Sequence, residues 1–273
     1  MELLERHFDT AFDAPDGIKK LRELILTLAM QGKLVPQYPK DPIGRKQLNK
    51  AGIESTPVVN GSNNQNSIQA SLKQRRDKFD EVPRGWEPKL LGEILSFEYG
   101  DNLPAHKRSE SGEFPVYGSN GVVGTHNVAF VHKPCIVIGR KGSAGALNLC
   151  QTSGCCVTDV AYYCIPPRGV DLIFAYWLLR SLGLDSLGKG IKPGLNRNEA
   201  YELSVVLPPL LEQERIVAKV DELMARCDAL EKLRAERDAK QLAVHNHHLQ
   251  GLGSRPCTVC PQTPCLPFAS PIH

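Results

Sequence analysis

The sequence predicts a mixed α/β (α+β) protein in which a domain of short strands is flanked by N-terminal helices and a long C-terminal, coiled-coil-like helix. Three observations predict it. Apolar residues recur at helical spacing near both ends of the chain. Between them the pattern shifts to short apolar runs punctuated by glycine. A double proline, Pro208-Pro209, then separates a strand-like run from the last helix.

Residues 1–50 form the first, helical segment. Leu3, Leu4, Phe8 and Phe12 supply one apolar face, and Ile18, Leu21, Ile25 and Leu28 a second, until Gly32 breaks the run. The stretch LRELILTLAMQGKLVPQ is too apolar on one side to stand alone in water, so it needs a partner surface. Residues 51–80 read as a polar linker: STPVVNGSNNQNSIQAS is dominated by Asn, Ser and Gln, and the basic stretch KQRRDKF follows.

Residues 81–206 form the mixed domain. EVPRGWEP, with Pro83, Gly85 and Pro88, is an extended entry. FPVYGSNGVVGTHNVAFV carries apolar pairs between Gly118, Gly121 and Gly124. CIVIGRKGSAGALNLC reads as strand, glycine turn, strand, and CCVTDVAYYCIPP as a third strand-like run. LIFAYWLLRSL is a compact apolar helix, and ELSVVLPP is the closing strand.

Residues 207–250 form the long helix. Proline is tolerated in a helix's first turn, so Pro208-Pro209 can begin one. Ile216, Val220, Leu223, Cys227 and Leu230 follow at spacings of four, three, four and three, giving one apolar seam on a charged helix. Such a seam suits pairing with another helix. Residues 251–273, with five prolines, three cysteines and no acidic residue, are expected to be a disordered Cys/Pro-rich tail.

The 273 residues suffice for a sizeable core, and 41% hydrophobic with 23% charged residues is ordinary for a soluble globular chain. No apolar run approaches the roughly 20 residues of a membrane-spanning helix. The start, MELLERHFDTAFD, lacks the basic opening and apolar centre of a secretory signal. The expectation is a cytoplasmic protein without a membrane partner. Net charge is +3 but unevenly spread. Residues 81–132 hold four Lys/Arg against seven Asp/Glu, and residues 133–197 hold eight against three. That asymmetry fits an anion-binding face, and it equally fits solvated lysines around a neutral domain. Cys135, Cys150, Cys155, Cys156 and Cys164 lie among apolar residues, which favours reduced, buried thiols packing as small hydrophobes.

Several blocks now read together. LRELILTLAMQGKLVPQ, VPRGWEPKLLGEI, FPVYGSNGVVG, IVIGRKGSAGALN, TDVAYY and LNRNEAYELSVVLPPLLEQERIVAKVDELM occur in an order that resembles specificity subunits of type I restriction–modification systems. Their order and the LPPLLEQ junction carry the resemblance, which covers about Ile18 to Leu233 apart from the polar linker. It implies that residues 81–206 are a DNA target recognition domain and residues 207–250 a spacer helix. A full-length subunit of the family carries two of each, reading the two halves of a split site. The resemblance therefore implies a half-length subunit with a single recognition domain, working with a second half-subunit as a homodimer or with a different one, or else a truncated gene. Implied partners are double-stranded DNA, modification (methyltransferase) subunits and a restriction subunit. The chain itself is expected to bind no cofactor; S-adenosylmethionine, ATP and magnesium would belong to the partners.

Base reading needs donors and acceptors at groove edges, while phosphate contacts supply much of the affinity. Gly139-Arg140-Lys141-Gly142-Ser143 lies in a turn between two strands. There Arg140 suits guanine or a phosphate, Lys141 a phosphate and Ser143 either. Tyr117, Ser119 and Asn120 form a second candidate loop: Asn120 has the amide chemistry to read adenine, although Asn-Gly is also a standard hairpin turn. Lys189, Lys192, Asn196 and Arg197 make a third, basic loop suited to phosphate.

Catalytic and metal sites are not expected. GLDSLGKG imitates a nucleotide-binding loop, but Gly190 replaces the Ser/Thr that would hold magnesium and Pro193 obstructs the helix that should follow. The two Pro-Pro pairs follow Ile165 and Leu207, where an amino-methyltransferase would place Asn or Asp. Cys257, Cys260 and Cys265 with the nearby histidines lack the second ligand pair of a structural zinc site. The alternative reading is a scaffold or interaction protein with a coiled-coil helix and no DNA role.

Overall fold

A computed structural model describes residues 16–38, 41, 82–188 and 194–253, with the backbone alone for 245–253. The expected first face at Leu3–Phe12, the 51–80 linker, Lys189, Lys192 and the tail beyond Gly253 lie outside the described residues. The chain divides into two units, Met1–Cys227 and Asp228–His273. Among the described residues no helix is long and apolar enough to cross a membrane.

The first helix, α1 (Gly17–Met30), buries Ile18, Leu21, Ile25, Leu26 and Ala29, a stripe set by the 3.6-residue period. Leu28, expected on this face, is only half-buried. Gly32 follows with φ +67, the left-handed geometry that ends helices. The chain re-enters at β1 (Glu87–Leu90), and the short α2 (Leu91–Ile94) follows, where the Leu90 N–H donates to Glu93 Oε2 at 2.8 Å.

Strand β2 (Glu98–Tyr99) precedes a hairpin of β3 (Phe114–Gly118) and β4 (Gly121–His126). Next come β5 (Cys135–Gly139) and β6 (Leu147–Cys150), the strand–turn–strand unit foreseen in CIVIGRKGSAGALNLC. The expected third run is two strands, β7 (Cys156–Val157) and β8 (Ala161–Cys164), broken at Thr158–Val160. β7 continues the hairpin sheet in the order β4-β3-β7, pairing parallel to β3, while β8 enters the antiparallel sheet β2-β8-β5-β6. One apolar run thus feeds two sheets. All five residues of β5, an interior strand, are buried.

Helix α3 (Leu172–Ser181) is capped by Asp171, whose carboxylate accepts from the Phe174 N–H at 2.8 Å. It packs against α1, so the apolar N-terminal stripe finds its surface there. Within the GLDSLGKG stretch, Leu184–Leu187 forms a 3₁₀ turn. Helix α4 (Arg197–Tyr201) and β9 (Ser204–Leu207) close the domain, with β9 antiparallel to β1. The Glu87↔Leu207 register brings the two ends of the strand-rich region together.

Helix α5 (Leu210–Gly253) spans 44 residues. Gln213 fixes its start. The fully buried amide oxygen accepts from the Asp171 N–H at 2.8 Å, and its NH₂ donates to Gly169 O at 3.1 Å and Pro208 O at 2.9 Å. One side chain thereby satisfies three main-chain groups at the junction of β9, α3 and α5. Trp177 Nε1 donates to Asp221 one helical turn-pair further on, at 3.0 Å. Arg215 pairs with Asp41 and its guanidinium lies 4.7 Å from the Tyr38 ring, tying α5 to the segment after α1.

The expected partner-facing seam needs correction. Ile216, Val220, Leu223 and Cys227 are all buried within the first unit. They form part of the protein's own core, so no second helix can occupy that surface. Leu230 belongs to the second unit, where Leu233, Leu242 and Val244 are exposed.

Candidate nucleic-acid interface

The fold assembles one surface from four separated stretches: the β2 end, the β3–β4 turn, the loop after β5 and the start of α4. β5 delivers Arg140 to its C-terminal edge, where the Arg140 N–H and the Lys141 N–H both donate to Val160 O at 3.0 Å. Gly139 is required there: a Cβ would overlap the carbonyl oxygens of Ser143 and Ser119. Gly142 takes φ +85, which a side chain would strain. The loop is therefore pressed against the β3–β4 turn on one side. On the other, Leu195 N–H donates to Arg140 O at 2.9 Å and Lys141 bridges to Gly194. Three sequence-predicted loops meet here.

Within them the candidate residues have different fates. Lys141 and Asn120 are exposed, and Ser119 and Ser143 are half-buried. Asn196 is exposed, but its side-chain oxygen caps α4 by accepting from the Asn198 N–H at 3.0 Å, so it has a structural task. Tyr117 is a correction. It lies in the middle strand of its sheet, buried to 8% exposure against Val131, Cys135, Cys150 and Cys155. Burial, with the neighbouring Cys150 next, pushes its hydroxyl up to about 12. It cannot reach a duplex.

Arg140 and Arg197 converge on an aromatic group that sequence reasoning did not single out. Arg140 Nη1 donates to Asp159 O at 2.8 Å, and Arg197 Nη1 to Phe97 O at 3.0 Å. Their guanidinium carbons lie 4.8 and 5.1 Å from the centroid of the same ring, Tyr99, which is 50% exposed. Tyr162 lies 5.7 Å from Arg140, and Tyr201 lies 5.8 Å from Arg197. Beneath them Tyr99 and Tyr162 meet edge to face at 5.1 Å, and Tyr201 accepts from the Phe97 N–H at 2.6 Å. Burial, then the Tyr99 hydroxyl, raises the Tyr162 pKa, while Arg140 and Arg197 pull it down. The signal for Tyr99 lay in the sequence as an aromatic just before Gly100. Its pairing with Tyr162, across 63 residues, was not legible.

Beneath the interface, Cys135, Cys150 and Cys155 bring their sulfurs within 4.8 Å of one another, the metal-ligand-like cluster among the described residues. The Cys135 and Cys155 sulfurs are 3.7 Å apart. Their mutual contact and burial raise the Cys155 thiol, and burial raises Cys150, so both favour the neutral S–H form that packs as a small hydrophobe. All six cysteines of the described region are free and buried. A separate groove of about 890 Å³, lined by α1, α3 and β9 residues, shares none of the interface residues.

These features coincide with a known domain. The profile for the type I restriction modification DNA specificity domain matches residues 83–237. The chain is 26% identical over 271 residues to the type I restriction enzyme EcoAI specificity subunit of Escherichia coli, covering 89% of this chain and 45% of that one. It is 29% identical over 252 residues to the EcoEI specificity subunit of Escherichia coli, covering 79% and 41%. The chain thus spans less than half the length of these curated relatives. The HsdS subunit from Thermoanaerobacter tengcongensis shares the fold with a TM-score of 0.50 and 19% identity, over 91% of this chain and 55% of that one. A chain from a type I R-M system solved in work on complex assembly and conformational transition gives a TM-score of 0.51 at 18% identity, over 89% and 55%. With more than half of its length matched by the domain profile, the chain belongs to the type I restriction–modification specificity subunit family.

Proposed function

We propose that this chain reads one half of a split site in double-stranded DNA and holds modification subunits against it, without catalysing a reaction itself. The observation that carries the reading is the arginine–tyrosine surface. Two half-buried guanidinium groups share the Tyr99 ring, Lys141 and Asn120 are exposed in the neighbouring loops, and among the described residues neither Arg140 nor Arg197 has an ion-pair partner. Unneutralised cations beside polar turn tips suit a polyanion with readable edges better than they suit a protein scaffold. Residues 81–206 act as the recognition domain and residues 207–250 as the spacer helix. The modification subunits bring S-adenosylmethionine, and the restriction subunit brings ATP and magnesium chemistry. A second half-subunit, identical or not, supplies the other half-site. Such a complex works in the cytoplasm.

The test is duplex binding by the full chain, alone and with its modification subunit, across a salt series. Steep weakening with salt is expected. Absence of binding at any salt in both preparations would refute the proposal. Mapping of methylated bases after co-expression then reports the site, and a symmetric split motif would indicate two identical halves.

A further inference from the structure

Building on that reading, we propose that Arg140 and Arg197, held against the shared ring of Tyr99, clamp one backbone phosphodiester of the duplex, while bases are read at the Asn120 and Lys141 tips. The two cations come from positions 57 residues apart in sequence and meet at one exposed ring. Two cations that share one ring and have no ion-pair partner among the described residues concentrate positive charge on this face, which favours an anion there. Each guanidinium spends one N–H on a main-chain carbonyl, Asp159 O or Phe97 O, which fixes its direction and leaves donors of its five-donor fork for a ligand.

The same tethers argue for phosphate over base. Reading a guanine edge requires an arginine to extend into the groove with its fork in the base plane. Both arginines are half-buried, held back by carbonyls and flanked by second rings, Tyr162 and Tyr201. A phosphate needs only charge and convergent donors. The exposed side chains of Asn120 and Lys141 lack these restraints. Tyr99 is a positioning residue: its ring keeps the two cations together, and its hydroxyl is not required for that.

The test uses the full chain with its modification subunit, on a duplex carrying its site and on an unrelated duplex of equal length, across a potassium chloride series. Arg140→Ala and Arg197→Ala are each expected to weaken binding to both duplexes by the same factor, roughly tenfold. Each also lowers the slope of log affinity against log salt by about one. Tyr99→Leu gives the same loss and is less than additive with either arginine variant, and Tyr99→Phe recovers the wild-type slope relative to Tyr99→Leu. Should an alanine variant fail to fold by its melting curve, the corresponding glutamine variant carries the comparison. Inorganic phosphate at matched ionic strength is expected to compete no better than chloride. If the arginine variants abolish discrimination between the duplexes with the slope unchanged, they read bases and the clamp is wrong. If inorganic phosphate alone stabilises wild type but not the variants while duplex affinity stays unchanged, the site serves a free anion and the clamp is equally overturned. Failure of the wild type to bind any duplex would instead refute the DNA-reading proposal beneath it.

Discussion

At the scale of single residues, side chains of similar chemistry divide sharply by what covers them. Tyr117 and Tyr99 are both tyrosines next to glycines, yet one lines the cysteine-rich core and the other faces solvent under two arginines. Tyr117→Ala is expected to lower stability by about 3–5 kcal/mol through the cavity it leaves, in a denaturant titration. The fraction that stays folded should bind duplex with the wild-type salt slope. Glu212 is a second case. It is 2% exposed, and burial raises its carboxyl above the ordinary value despite the Gln37 amide and the Arg215 charge that lower it. A raised carboxyl means the folded state holds its proton more tightly than the unfolded chain. The resulting stabilisation is complete below the unfolded value near 4.5 and is lost as pH rises through the folded value. Glu212→Gln should flatten the stability profile across that window, as melting temperatures across a pH series will show; an unchanged slope would assign the pH dependence to other groups.

At the scale of elements, the first part of α5 behaves as a core helix. Leu223 is 1% exposed inside the first unit. Leu223→Ala should cost about 2–5 kcal/mol of unfolding free energy in the chain alone. A seam built for a second helix would instead show a concentration-dependent loss of association. Gln213 is the other control point, because its amide supplies one acceptor and two donors to three buried main-chain groups. Gln213→Glu places a carboxylate against the carbonyls of Gly169 and Pro208, so it should destabilise more at neutral pH than at pH 4, where the acid can be protonated. Equal melting temperatures for wild type and this variant at pH 7 would mean that α5 is anchored by its apolar face alone. The LPPLLEQ sequence is thereby explained as a strand end, a proline turn and the glutamine that stitches the turn closed.

At the scale of the whole molecule, recognition and assembly map to different surfaces under the proposed function. Under that proposal the Tyr99–Arg140–Arg197 face is the one to test for duplex binding, and the exposed apolar residues of the second unit, Leu233, Leu242 and Val244, are the ones to test for attachment of a modification subunit. Leu233→Glu with Leu242→Glu should weaken co-purification with the modification subunit while leaving the unfolding free energy within about 1 kcal/mol of wild type in a denaturant titration, as expected for exposed positions. Retained co-purification would move the docking surface elsewhere. The sequence by itself determined the class of fold, the strand–turn–strand unit around Arg140, the two helical arms and the family, because apolar period, glycine turns and proline breaks are local signals. It also placed Arg140 and Arg197 among the candidates, since basic residues in or next to glycine-containing loops are visible in one dimension. Only the tertiary structure decided that Tyr117 is enclosed, that Asn196 caps a helix, that the α5 seam is covered by its own domain, and that Tyr99 joins two distant arginines. A side chain's period states which way it points along its element, but the surface it meets is set by strand pairing and helix packing across dozens of residues, which no local pattern encodes.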